Sequence, residues 1–123
     1  MTKIGVIRCE KNERKCPLTG CITSLTQQAQ GFASYDQTQL TGVFTCRGDM
    51  DDVANMAKIL KAKGAEAIHL PTCLFANKSD GVWIMEGGGF CDRMETLTDR
   101  INEAGLPCVK GTAHLPEGYV PEV

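Results

Sequence analysis

The sequence predicts an α/β domain of the three-layer, Rossmann-like or flavodoxin-like kind, built on a mainly parallel sheet of about four strands. Three observations predict it. Short apolar, β-branched runs alternate with amphipathic segments in the order βαβαβ, a long connection, then αβ. The apolar runs are continuous rather than alternating with polar residues, as in strands buried on both faces. The amphipathic segments are closed by glycine, so each ends cleanly and returns the chain to the next strand by a right-handed crossover. The 123 residues and 42% hydrophobic content support one core, and residues 1–123 read as a single domain.

Residues 3–8, Lys-Ile-Gly-Val-Ile-Arg, form the first strand. Pro17 suits a first helical turn, Ile22, Leu25 and Ala29 repeat at helical spacing, and Gly31 closes the first helix. Residues 41–45 form the second strand, preceded by the polar stretch 34–39. Asp49 then caps a helix with Asp51 and Asp52 at its positive end, an apolar stripe of Val53, Met56, Ala57 and Leu60, and Gly64 as its stop. Residues 65–70 form the third strand, ending at Pro71. The last helix runs over about 91–104 through Met94, Leu97 and Ile101 to Gly105, and residues 107–110 begin the fourth strand. The connection 72–90 has a turn at 78–81, an apolar patch at 82–85 and glycines at 87–89. It predicts a loop or hairpin over the site.

Thirteen basic residues against fifteen acidic ones, scattered along the chain, leave no footprint for nucleic acid or anionic lipid. The first residues turn polar at Arg8, and no apolar run approaches the ~18 residues that span a bilayer. The expectation is a cytoplasmic protein with neither nucleic-acid nor membrane partners. In that setting seven cysteines, an odd number below the roughly 8 to 10% of secreted disulfide scaffolds, point to metal or redox chemistry.

Their positions sharpen this. Cys9, Cys46 and Cys73 follow the first three strands and His114 follows the fourth, so all four belong to the carboxyl edge of a parallel sheet, where such folds bind ligands. Cys16, Cys21 and Cys91 lie at or near helix starts facing the same edge, where the dipole lowers thiolate pKa. Cys108, near the start of the fourth strand, belongs to the opposite end and reads as a small buried hydrophobe. His69, inside the third strand, reads as a hydrogen-bonded interior histidine, or one that supports a metal ligand from behind, rather than as a ligand. No Cys-x-x-Cys pair marks a zinc ribbon or thioredoxin motif, and the glycines at 87–89 lack the dinucleotide fingerprint.

The opening Ile4-Gly-Val-Ile-Arg-Cys9, Cys16-Pro-Leu-Thr-Gly-Cys21, the centre at Cys46, Ile68-His-Leu-Pro-Thr-Cys73, Cys91 and the ending Gly111-Thr-Ala-His114 together resemble the CGGC-domain family of cysteine-rich α/β proteins. The resemblance runs end to end. It implies a Rossmann-like domain with a zinc or related metal site and brings no defined reaction. The centre reads Cys46-Arg-Gly-Asp49 where the family motif has a second cysteine. Asp49 can serve zinc through oxygen but suits an iron–sulfur cluster poorly, and it can equally cap the following helix.

The leading expectation is therefore a metal-binding protein drawing on Cys9, Cys46 and Cys73 with His114, Cys16, Cys21, Cys91 or Asp49. Zinc is the first choice for mixed sulfur, nitrogen and oxygen ligands. An iron–sulfur cluster is the alternative, and a thiol redox enzyme using a low-pKa cysteine is a second class. A metal sensor or carrier is a third. No triad marks a catalytic centre, so the sequence supports binding protein and enzyme alike.

Overall fold

The computed structural model describes residues 2–79, 81–84, 89–115, 119 and 121. The first apolar run becomes β1, Thr2–Cys9, and a single helical turn, α1, follows at Glu10–Glu13. Helix α2 spans Thr19–Gln27, β2 Thr38–Cys46, α3 Met50–Ala62 and β3 Ala67–Leu70. The long connection folds into an antiparallel hairpin of β4, Asn77–Ser79, and β5, Val82–Ile84, before α4, Met94–Glu103, and β6, Cys108–Lys110. The main sheet has the order β2-β1-β3-β6, and every neighbour pair is parallel. This is the predicted α/β architecture.

Strand alternation sends successive side chains to opposite faces and so builds two cores. Ile4 and Val6 join Leu18, Leu25, Phe32 and Ala67 beneath α2, whereas Ile7 and Cys9 join Ile68, Leu70, Val53 and Leu60 beneath α3 and α4. The pairing of β1 with β2 contains one irregularity. Ile4 opposes Leu40 but Gly5 opposes Gly42, so Thr41 is an extra residue in β2. Because side-chain direction has a period of two, this single residue turns Phe44 and Cys46 toward the α3/α4 face.

The element ends differ from the sequence expectation where local conformation overrides propensity. Helix α2 starts at Thr19, after Leu18 takes a left-handed conformation at φ 66°. It stops at a left-handed Gln28, so Gly31 is no cap. Gly31 instead sits in a 3-10 turn, Gln30–Phe32, where a Cβ would lie 2.5 Å from the Gly111 carbonyl oxygen. Strand β2 starts three residues early, since a strand at the sheet edge tolerates the polar Thr38 and Gln39. Helix α4 starts at Met94, and Cys91 lies in the stretch before it. Asp49 caps α3 as expected, its carboxylate accepting from the N–H of Asp51 at 3.0 Å and of Asp52 at 3.3 Å.

Leu60, 2% exposed, packs between α3 and the sheet. Leu60→Ala should lower the unfolding free energy by about 2 to 5 kcal/mol in urea titration; a loss below about 0.5 kcal/mol would show that this face carries no packing.

Candidate functional site

Cys9 and Cys46 are the last residues of β1 and β2 and oppose each other directly in the ladder. Both are buried on the α3/α4 face. Strands lie about 4.8 Å apart, so the two side chains are neighbours by construction. Cys91 arrives from the far end of the sequence and is strapped over them. Phe90 N–H donates to the Cys73 carbonyl at 2.9 Å and Cys91 N–H to the Leu74 carbonyl at 3.0 Å. The backbones approach so closely that a Cβ at Gly89 would lie 2.2 Å from the Leu74 carbonyl carbon. Lys11 Nζ donates to the Phe90 carbonyl at 3.1 Å, and Arg93 Nη2 to the Gly48 carbonyl at 2.6 Å. The three thiols, with Lys11, Arg93 and Met50, line a cleft of about 50 Å³. That volume admits an ion and a few waters but no nucleotide.

Burial raises the Cys91 pKa, and negative charge on Cys46 or Cys9 would raise it further, against a lowering hydrogen bond from the backbone at Arg93. The thiols are thus close enough to feel one another. Cys73, in the 3-10 turn Thr72–Leu74 after β3, is partly buried and packs against the same apolar cluster.

The remaining candidates stand elsewhere. Cys21, in the first turn of α2, places its sulfur 3.0 Å from the Thr112 hydroxyl, and Cys16 lies close enough for its charge to raise the Cys21 pKa. His114, left-handed at φ 52°, aims Nε2 at the same turn, where a Cβ on Gly20 would stand 3.0 Å from it. This second group is on the α2 face, so an expected single gathering at the sheet edge is divided between the two helical layers. Asp49 is engaged as the α3 cap. Arg47 is exposed and tied to Glu13 at 3.1 Å and Glu10 at 3.7 Å. Cys108 is buried at the opposite end of the sheet, its pKa pushed up to about 11 chiefly by desolvation. The expectation that helix starts depress thiol pKa is corrected at Cys21 and Cys91: burial outweighs the donors near both. Among the described residues, no three His, Cys, Asp or Glu side chains as placed form a group that could hold a metal ion.

His69 is fully buried on the α2 face, away from the cleft, with its ring 4.3 Å from Phe32. Nδ1 is 2.9 Å from the Gly111 carbonyl, which can only accept, so Nδ1 carries the proton of the neutral ring. Nε2 therefore accepts from the Tyr35 hydroxyl at 2.9 Å. Thr112 falls inside the quoted Gly111-Thr-Ala-His114 motif, whereas nothing marks Tyr35 in its polar stretch. The predicted turn at 78–81 and patch at 82–85 fall in part outside the described residues, as do the glycines at 87 and 88.

The family model described as the CGGC domain matches residues 3–113. An uncharacterized protein of Methanocaldococcus jannaschii is 34% identical over 80 residues. That match covers 59% of this chain and 62% of the relative, so the chain spans less than two thirds of the relative's length. No solved structure matches the chain. Among the described residues, no helix is long and apolar enough to cross a membrane.

Desolvation lowers the His69 pKa from 6.5 to about 4. Between these values the unfolded chain binds a proton that the folded one refuses, so stability should fall as pH drops from about 6.5 to about 4 and level off below. At 1.36 kcal/mol per unit the loss is roughly 2 to 4 kcal/mol. Urea unfolding across this range, compared with His69→Gln, isolates it. Equal slopes in the two proteins would remove His69 as the cause.

Proposed function

The chain belongs to the CGGC-domain family, and from that membership together with the cleft we propose that it is a metal-binding protein whose ion is held by Cys9, Cys46 and Cys91. The observation that carries the reading is the ladder pairing of Cys9 with Cys46 beneath the strapped Cys91. Three thiolates suit a thiophilic ion, and zinc accepts them with a fourth donor from Cys73 or water. As placed, the side chains are thiols rather than a finished coordination sphere. Ligation requires them to turn toward one ion and release their protons. The ion reverses the electrostatics of the empty cleft: the mutual repulsion that disfavours thiolates becomes attraction to a shared cation. Three thiolates around a divalent ion leave one net negative charge, in a cleft whose lining sets Lys11 and Arg93 against Glu10 and Asp92.

Cys73 is tied by its backbone to the stretch that holds Cys91, and this proximity favours a second reading in which four thiolates hold an iron–sulfur cluster. Protein purified anaerobically separates the two, since a cluster is brown and zinc is colourless.

Elemental analysis of anaerobically purified protein should find about one thiophilic metal per chain. Cys46→Ser should lose most of that metal while keeping the fold. Cys108→Ser should keep the metal and lose about 1 to 3 kcal/mol of stability, as a hydroxyl enters the interior. Metal-free wild-type protein from both aerobic and anaerobic preparations would end the reading. Loss of metal from Cys108→Ser alone would move the site to the other end of the sheet.

A further inference from the structure

The second thiol group has a geometry that the metal reading does not use. We propose that Cys16 and Cys21 are a redox dithiol that exchanges with a low-molecular-weight disulfide to form an internal Cys16–Cys21 bridge, on the face of the sheet opposite the Cys9 cleft.

The two cysteines are five residues apart across the start of α2. Cys16 lies in the loop before α2, and Cys21 is the third residue of that helix. Between them the left-handed Leu18 turns the loop into α2 as its N-cap, its carbonyl accepting the first helical bond from Ile22 N–H at 2.8 Å. Arg8 holds the loop from below: its Nη1 donates to the Cys16 carbonyl at 3.2 Å and its Nε to Thr45 Oγ1 at 3.3 Å. Thr112 fixes the Cys21 sulfur at 3.0 Å. Negative charge on Cys16 would raise the Cys21 pKa, which agrees with a short separation.

A disulfide needs Cα atoms about 4.4 to 6.8 Å apart and a Cβ–S–S–Cβ angle near 90°. Cys16 is outside any helix or strand, so the loop supplies what adjustment this requires. Cys9 and Cys46 also stand side by side, but both are fixed in the ladder and buried. Oxidation is thereby directed to the loop pair, and the Cys9 group stays free for metal.

The exchange balances without a resident cofactor. The Cys16 thiolate attacks one sulfur of the small disulfide; the S–S bond breaks, one small thiolate leaves and a mixed disulfide remains. The Cys21 thiolate then attacks the Cys16 sulfur and expels the second small thiolate. The two protons lost by the protein thiols end on the two small thiols, and two electrons pass from the dithiol to the small disulfide. Cys16 is the entry thiol, because Cys21 is packed against the apolar cluster under α2 and held by Thr112.

The test treats reduced, metal-free full-length protein with glutathione disulfide, quenches by alkylation and maps the linkages by mass spectrometry. Wild-type protein should lose two free thiols and yield a Cys16–Cys21 bridge. Cys21→Ser should instead accumulate one glutathione on Cys16, while Cys16→Ser acquires it on Cys21 roughly tenfold more slowly. A wild-type bridge between Cys9 and Cys46, or no bridge under oxidising conditions, overturns the proposal without recourse to the variants. Zinc alone is then added to the oxidised and reduced proteins. Equal uptake supports two separate sites. Uptake by the reduced form only makes Cys16 and Cys21 ligands and overturns the separation. Uptake by neither form removes the metal reading, while the mapped bridge still supports the dithiol.

Discussion

The register of β1 against β2 is the constraint on which the rest of this structure depends. A parallel ladder without interruption would pair the strands with one fixed parity from end to end. The extra Thr41 breaks that parity, so Leu40 packs beneath α2 while Phe44 and Cys46 pack beneath α3 and α4. The insertion carries a cost, since the Thr41 hydroxyl is buried with no hydrogen-bond partner among the described residues, which typically costs about 1 to 3 kcal/mol. In exchange Cys46 falls opposite Cys9, where the offset of Ile4 and Leu40 carried on unbroken would set it opposite position 10. Without the shift, one thiol would lie on each face and no cleft would hold both.

The chain beyond β3 completes what the register begins. The 3-10 turn Thr72–Leu74 offers its carbonyls to the stretch holding Phe90 and Cys91, and Lys11 and Arg93 tie that stretch to α1 and to the loop after β2. A partly exposed thiol is thereby held over two buried ones by main-chain bonds. On the opposite face His69 does comparable work. Its ring spans Gly111 and Tyr35, fixing the segment from which Thr112 and His114 reach the start of α2. Thr72 adds a second tie, donating to the Ala113 carbonyl at 2.7 Å. One buried imidazole and one buried hydroxyl thus position a tail that belongs to no helix or strand.

The α/β class, the strand sequence and the capping role of Asp49 were legible because each rests on a local signal: continuous apolar runs, a helical stripe, an acid before that stripe. The carboxyl-edge placement of Cys9, Cys46 and Cys73 followed from topology alone. The face that Cys46 takes was not legible, because face depends on residue parity and Thr41 changes parity without any mark in composition. The start of α4 was misplaced by three residues for a related reason: Cys91 looks like the head of an amphipathic helix, but its N–H is taken by Leu74, a partner distant in sequence. Likewise the helix-start argument for acidic thiols treats the dipole in isolation, whereas desolvation is a property of the folded surroundings.

That last contrast bears on how the thiols can act. A thiol activated at rest would attract oxidants indiscriminately, and a cluster of thiolates would repel itself. Here burial raises Cys21 and Cys91, and each is raised further by the negative charge a neighbouring cysteine would carry. Cys21 and Cys91 therefore favour the protonated state until something removes the penalty. At the Cys9 cleft a cation would do so, converting repulsion among three sulfurs into ligation and coupling affinity to proton release. At Cys16 and Cys21 covalent bonding would do so, since a disulfide carries no charge and has no thiolate left to desolvate. The same unfavourable electrostatics thus gives two different answers on the two faces, set by whether the neighbouring sulfurs are locked in a ladder or carried on a loop.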